Sequence, residues 1–377
     1  MTRQIRVTIA VAAALCCAMP YPAWAQIVEG ESLFGRPQVI YSYWKLTDSA
    51  GTETKMTQTT APFVAMVPLR DNLEARLFVV GASSNYKTAS DDVSLSGLGD
   101  LRIQLNRSLS EDHILVSFGV NLPTGKKKLD FDKFGNVIEQ LSRNFLRFPL
   151  RRYGEGLGFN LLIGGTTPLG NAQANGSVAY QMIGEYEPYD GLGDYNPGDR
   201  ISASAGLSKR QGSLRWRADV TATTYVDDKV DGAKVFRQAG QFDIRLNATR
   251  ISTSEQFSIG AFARFVSRGR NKIYDAATEE IRDQLQLFGD ELTVSGRLWW
   301  LLSPKLSATP TVEYRRIGAD EDLLDESSVV GLGGSLGLTA SEEVSFAVRA
   351  MYYSGDADGG SIDLTGLQAG LSLKAVF

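Results

Sequence analysis

Apolar and polar residues alternate along most of this 377-residue chain. Leu73, Ala75, Leu77 and Val79 are interleaved with Glu74, Arg76 and Phe78, and Leu101, Ile103 and Leu105 with Arg102, Gln104 and Asn106. The same rhythm sets Leu214, Trp216, Ala218 and Val220 against Arg215, Arg217 and Asp219, and Phe242, Ile244, Leu246 and Ala248 against Asp243, Arg245 and Asn247. It returns where Leu306, Ala308, Val312 and Tyr314 alternate with Lys305, Thr309, Glu313 and Arg315. A period of two is that of a β-strand with one apolar face. Charge recurs on one side of each segment only, so the pattern predicts many strands sharing a polar face and an apolar face.

The connections carry a second regularity, because short and long ones take turns. Short turns are expected near 70–72, 109–112, 168–171, 209–213, 253–256, 303–304 and 340–343. Longer polar loops are expected near 47–55, 82–96, 123–154, 185–199, 226–236, 268–287, 317–328 and 354–361. Short turns at one end and long loops at the other is the pattern of an antiparallel transmembrane β-barrel of the outer-membrane type. The count predicts an all-β barrel of about 16 strands, with 14 as the alternative. It is most exposed to error at the first strand, Val39 to Leu46, and near Ala174 to Met182, where alternation is weak. A soluble β-sandwich also alternates, but does not predict the asymmetry of loop length. Tyr41, Tyr43, Trp44, Trp216, Trp299, Trp300, Tyr314, Tyr352 and Tyr353 lie near strand ends and are read as interfacial girdles.

The two ends of the chain fit a barrel. Leu367, Ala369, Leu371, Leu373 and Ala375 alternate up to the terminal Phe377, which is expected to end the last strand and to serve as an assembly signal. At the other end, Arg3 and Arg6 precede the apolar run Val7 to Met19, and Ala23-Trp24-Ala25 forms a cleavage site with Gln26 as the first mature residue. The expected division is a signal peptide over 1–25, a short periplasmic segment over 26–35 and a barrel over 36–377. The leader carries both cysteines, Cys16 and Cys17, so the mature chain has none. A lipoprotein reading fails at Leu15, where a small residue is needed. Loss of Arg3 and Arg6 makes the mature chain more acidic than the net charge of -4 of the whole, which argues against a nucleic-acid partner. Implied partners are outer-membrane lipid and lipopolysaccharide, the barrel-assembly machinery with its periplasmic chaperones, and a small-molecule solute. No cofactor is implied.

One region resembles a known family. Gly97-Leu98-Gly99-Asp100 opens a pair of strands that close on Leu122-Pro123-Thr124-Gly125, and Tyr195-Asn-Pro-Gly-Asp199 precedes a later strand. These motifs resemble the outer-membrane barrels grouped with the phenol meta-pathway degradation proteins, which are distantly similar to the outer-membrane long-chain fatty-acid transporters. The resemblance implies passive uptake of small apolar or aromatic molecules. It departs from the fatty-acid transporters because only Gln26 to Gly35 precede the first strand, too few for a long amino-terminal hatch. The glycines themselves are read first as loop-to-strand geometry, and only second as ligand contacts.

Two features could select a solute. In the loop 123–154, Lys126, Lys127 and Lys128 precede Phe131, Phe134, Val137, Ile138, Leu141, Phe145 and Phe148. Positions 137, 138, 141, 145 and 148 share a helical face, Asn136 with Glu139 offers a cap, and Pro149 ends the run. An apolar face there must bury itself, either inside the barrel or over its rim, unless the loop is disordered. On the polar face of the strands stand Arg76, Arg102, Arg215, Arg217, Arg245, Arg264, Arg297, Arg315 and Arg349, against Glu74, Asp219, Asp243, Glu291 and Glu313. They read either as cross-strand pairs that hold register or as a transverse field for polar or anionic solutes.

Catalytic readings are poorly served. The single histidine, His113, lies beside Asp112 in an expected turn, and no clustered Cys or His suits a transition metal. Acidic loops at 320–325 and 356–358 read as solvated, or as weak calcium sites. The expected function is a non-enzymatic outer-membrane channel for small hydrophobic or aromatic molecules. The alternatives are a general or weakly anion-preferring porin and a non-conducting structural barrel.

Overall fold

The computed structural model describes residues 34–376, apart from Asp112, Leu192, Ala276 and 322–324. The expected leader over 1–25, the segment up to residue 33, and Phe377 lie outside the described residues.

Each alternating segment is a strand hydrogen-bonded to its neighbours in sequence. Strands β1 (Phe34–Asp48), β2 (Glu53–Arg70) and β3 (Leu73–Lys87) are followed by β4, which is broken at Gly99-Asp100 into Asp92–Leu98 and Leu101–Leu109. Both pieces pair with β3, so they form one strand of the wall. Then come β5 (Ile114–Leu122), β6 (Gly158–Leu169), β7 (Ala172–Ile183), β8 (Arg200–Gln211), β9 (Leu214–Tyr225) and β10 (Gln241–Ile251). The remainder are β11 (Phe257–Arg268), β12 (Glu291–Ser303), β13 (Leu306–Ile317), β14 (Ser327–Thr339), β15 (Val344–Ala357) and β16 (Ile362–Val376). β1 pairs antiparallel with β16 from Asp48↔Ile362 to Phe34↔Val376, which closes the barrel at 16 strands. Closure satisfies every strand edge, the condition for crossing a bilayer with strands.

The regions of weak alternation are strands as well. β1 takes in Phe34 and Gly35, two positions ahead of the expected start of the barrel, and β7 spans the ambiguous stretch near 174–182. Loops expected at 47–55, 82–96 and 354–361 shrink because the ladder continues through their polar residues, leaving 49–52, 88–91 and 358–361 between strands. Longer loops at the same end carry short strands of their own. Tyr195–Asn196, Asp228–Val230, Ala233–Arg237, Asn271–Tyr274 and Ile281–Leu285 form a small sheet. The Tyr195–Asp199 motif is part of it: Asp228 accepts from the Tyr195 hydroxyl and from the Gly198 amide. Its role there is structural.

The outward positions are apolar and uncovered. Phe242, Leu332 and Val178 are each more than half exposed, as are Val348 and Leu371. An apolar belt running around the whole wall suits lipid rather than water. Among the described residues no helix is long and apolar enough to cross a membrane; the strands are the spanning elements.

Three of the expected girdle aromatics stand at inward-facing positions: Trp299, two residues on from Arg297 along β12, and the pair Trp44 and Tyr353. Trp44 and Tyr353 are buried and stack on each other with ring centroids 5.4 Å apart. Trp300, Tyr41, Tyr314 and Tyr352 are exposed on the outer side, in keeping with a girdle. Trp44 belongs to an apolar strip on the inner wall, with Leu46, Met56, Leu95, Val329, Met351, Tyr353 and Leu364. β1 and β2, β4, and β14 to β16 supply it.

The outer face is therefore far more sensitive to charge than the inner one. Leu332→Arg should destabilise the folded barrel in vesicles by about 2–4 kcal/mol, while Ser335→Arg, one residue of opposite parity along β14, should cost much less. Urea unfolding of the two variants in lipid checks the contrast.

Candidate functional site

The connection between β5 and β6 folds into the lumen. Its helix α1 (Phe131–Ser142) starts at an Asp130 cap, whose carboxylate accepts from the Lys133 amide at 3.2 Å. The cap expected at Asn136 is instead interior to the helix, because Asp130 offers the same chemistry at the true start. Val137 and Leu141 are fully buried against the apolar strip, and Phe134 and Ile138 pack at its edge. Phe145 and Phe148 are also buried but lie beyond the helix end, in a turn and in irregular backbone, rather than on the expected helical face. Phe131 is exposed and meets Tyr189 edge-on at 5.0 Å. Each fully buried large side chain contributes about 1.5–3 kcal/mol. The apolar face is thus spent on the wall inside the barrel, not over the rim.

Polar contacts fix the loop where it leaves the helix. Arg315 donates to the Phe145 carbonyl at 2.8 Å, and Arg147 reaches Thr293 at 2.5 Å and Glu313 at 3.8 Å. Gln58 both donates to the Leu150 carbonyl at 2.8 Å and accepts from its amide at 3.0 Å. The Tyr153 hydroxyl donates to the Leu95 carbonyl and contacts Ser84 Oγ at 2.8 Å. Burial pushes that phenol up to about 12, with the Ser84 contact opposing.

The family-like motifs tie the two ends of the loop together. Asp100, at the break in β4, accepts from the Gly125 amide at 2.9 Å and the Glu155 amide at 2.8 Å, and from Asn121 at 2.9 Å. Thr124 Oγ1 accepts from the Leu101 amide and donates to the Gly99 carbonyl. A Cβ at Gly125 would stand 1.9 Å from the Tyr153 carbonyl oxygen, so only glycine lets the two limbs cross there. The motif around 97–100 and the one ending at 125 are two halves of one clasp. Their role is structural.

What the loop leaves open is a cavity of about 1240 Å³. Of the residues expected to line a pore, Arg102, Arg217, Arg245, Arg264, Arg297, Arg315 and Arg349 do so, with Asp219 and Glu313. Glu74 and Arg76 do not; they pair at 2.7 Å, with Asn106 donating to Glu74, in a buried network of the wall. Arg215 is exposed near the turn between β8 and β9, outside the cavity. Asp243 sits beneath the lining, held by Arg245 at 2.5 Å and Arg264 at 2.8 Å, and Glu291 pairs with Arg268. Of the loop aromatics, only Phe148 reaches the cavity.

The pairs are mostly not cross-strand, as register-holding pairs would be. Arg76–Glu74, Arg217–Asp219, Arg245–Asp243 and Arg315–Glu313 each join positions two apart on one strand. Such positions share a face at about 6–7 Å, within reach of an arginine. Arg264–Asp243 and Arg268–Glu291 are cross-strand cases. Arg315 is almost fully buried; its guanidinium lies over the Tyr353 ring at 4.7 Å and the Trp44 ring at 5.8 Å.

The strand pattern says nothing of four further lining charges, Arg147, Arg151, Arg152 and Glu155, because they arrive on the loop. The available signal is the basic run Arg147 to Arg152 itself, beside Pro149. Enclosure lowers the Arg151 guanidinium from its ordinary value; Glu291 opposes this, while Arg147, Arg268 and Arg264 lower it further. Arg297 and Arg349 have no carboxylate partner among the described residues. Arginines outnumber carboxylates along the cavity by more than two to one. His113 is an exposed turn residue, and among the described residues no cluster of His, Cys, Asp and Glu is arranged to hold a metal.

Asp100→Ala should free both ends of the loop at a cost of about 3 kcal/mol. The expected readout is new protease cleavage within 123–157 of the folded barrel; unchanged resistance would show that the clasp is dispensable.

Neither a family model nor a curated protein matches the chain. Solved structures do. OprB of Pseudomonas putida aligns at 13% identity over 92% of this chain and 94% of that one, with a TM-score of 0.50. The anion-selective porin from Comamonas acidovorans aligns at 11% identity over 92% and 100%, with a TM-score of 0.43. The CymD monoaromatic hydrocarbon channel aligns at 10% identity over 92% and 89%, with a TM-score of 0.43. At these identities the likeness is one of fold, and the fold is a closed antiparallel β-barrel like those of outer-membrane proteins.

Proposed function

We propose that this protein is a passive outer-membrane channel for small solutes that prefers anions. The observation that carries the reading is the open cavity in which arginines outnumber carboxylates more than twofold. Fixed charge on the wall of a water-filled constriction raises the local concentration of the opposite ion and repels its own sign. The overall acidity of the chain does not oppose this, because the field inside a lumen is set by the residues that line it.

Uptake of apolar or aromatic molecules, the function implied by the family resemblance, is the second reading. It needs an apolar pocket, and the loop face expected to form one is packed on the wall. None of Phe131, Phe134, Val137, Ile138 or Leu141 lines the cavity. In its favour, Phe78, Phe148 and Phe262 do. The apolar belt around the wall supports placement in the outer membrane, and the leader expected over 1–25 is in keeping with export. Lipopolysaccharide would contact the belt and the long-loop end.

Purified barrel in a planar bilayer under a potassium chloride gradient tests the proposal. Chloride should be more permeant than potassium, with the preference weakening at high salt as the wall charge is screened. Deletion of 130–149 should raise conductance severalfold. Cation preference would overturn the anion reading, and absence of current in both forms would leave a non-conducting structural barrel.

A further inference from the structure

We infer that the lumen face of β9 to β12 binds an aromatic monocarboxylate, with the ring on Phe262 and the carboxylate on Arg297. The inference deepens the anion-channel reading and rests on it.

Register places the components. Asp219, Arg245, Arg264 and Thr293 lie side by side in one row across these four strands. The next row toward the short turns is Arg217, Asn247, Phe262 and Ser295, and the row after it has Gly260 opposite Arg297. Phe262 is therefore the one aromatic of its row and is bracketed along β11 by Arg264 on one side and Gly260 on the other. Its ring is half-buried and lines the open cavity.

The four arginines are not equivalent. Arg217 is committed to Asp219, and Arg245 and Arg264 share Asp243. Arg297 has no carboxylate partner among the described residues. Its side chain lies across Gly260, where an added Cβ would stand 3.0 Å from Nε and 3.1 Å from Cγ. A side chain at position 260 would displace it; glycine lets the guanidinium rest against β11, one row from Phe262. An uncommitted planar fork beside an accessible ring is complementary to a carboxylate on an aromatic ring. The fork takes the carboxylate through two parallel hydrogen bonds, and the rings stack for about 0.5–1.5 kcal/mol.

The same arrangement argues against other anions. An aliphatic carboxylate gains the fork but not the ring. A neutral aromatic gains the ring but leaves the guanidinium unpaired. On these strands a multiply charged anion such as phosphate has only Arg297 uncommitted for it, and its second charge finds Asp219 on the lining and arginines already paired with carboxylates.

Block of the chloride current through reconstituted barrels tests the assignment, with benzoate, acetate, benzyl alcohol and inorganic phosphate as probes. Benzoate should block at about one tenth of the concentration that acetate needs, and benzyl alcohol and phosphate should block less than either. Phe262→Leu should bring benzoate close to acetate, whereas Arg297→Gln should weaken both. The comparison in the unmodified barrel depends on no substitution, so a variant that folds poorly leaves the test intact. Equal block by benzoate and acetate, stronger block by phosphate, or benzoate block that survives both substitutions would overturn this inference while chloride preference stood. Loss of anion preference altogether would overturn it together with the channel reading.

Discussion

The lumen of a sixteen-strand barrel is wide enough to hold water, so an apolar strip on its inner wall is unfavourable until protein covers it. Here Met56, Leu95, Val329, Met351 and Leu364 form such a strip, and Val137, Leu141, Phe145 and Phe148 cover it. Neither surface is stable in water alone, and each accounts for the other. From this burial follows the layout of the interior. One side of the lumen is filled, the basic limb Arg147 to Arg152 is laid along the boundary, and the open space is left mainly to the strands β9 to β15, most of which carry an arginine.

The clasp at Asp100 and the contacts of Arg315 are the polar counterparts of that burial. A loop of this length pays a conformational entropy cost on ordering. Crossing its limbs at Gly125 and bonding both to one carboxylate reduces the freedom left to lose. Arg315 joins the wall to the loop at the opposite end. It pairs with Glu313, lies over Trp44 and Tyr353, and donates to Phe145. Burial of this cation is offset by the Glu313 carboxylate, the Phe145 carbonyl and the two aromatic rings.

Much of this fold is legible in the sequence, because strand parity is a local signal. Leu306 to Arg315 announces both its faces without knowledge of any neighbour, and the rhythm of turns adds the strand count. Direction of the aromatics was also within reach. Tyr353 has the parity of Arg349, and Trp44 that of Ser42, so both belong inside; proximity to strand ends is the weaker signal. The helix start is not legible because Asn136 and Asp130 are equally good caps, and only packing of Val137 and Leu141 chooses between frames. The clasp could not be read from spacing, since Asp100 and Glu155 are brought together by the fold. Nor could pairing: Asp243 is held by one arginine on its own strand and one on the next.

The central claim is that the loop is packed inside the barrel and held there by its apolar face. Amide hydrogen exchange of the folded protein in lipid measures this most directly, since exchange reports local opening on the scale of minutes to hours. Amides of Phe134 to Ser142 should be protected on that scale, far longer than those of an unstructured peptide. Exchange of the helix amides at the rate of an unstructured peptide would contradict the account.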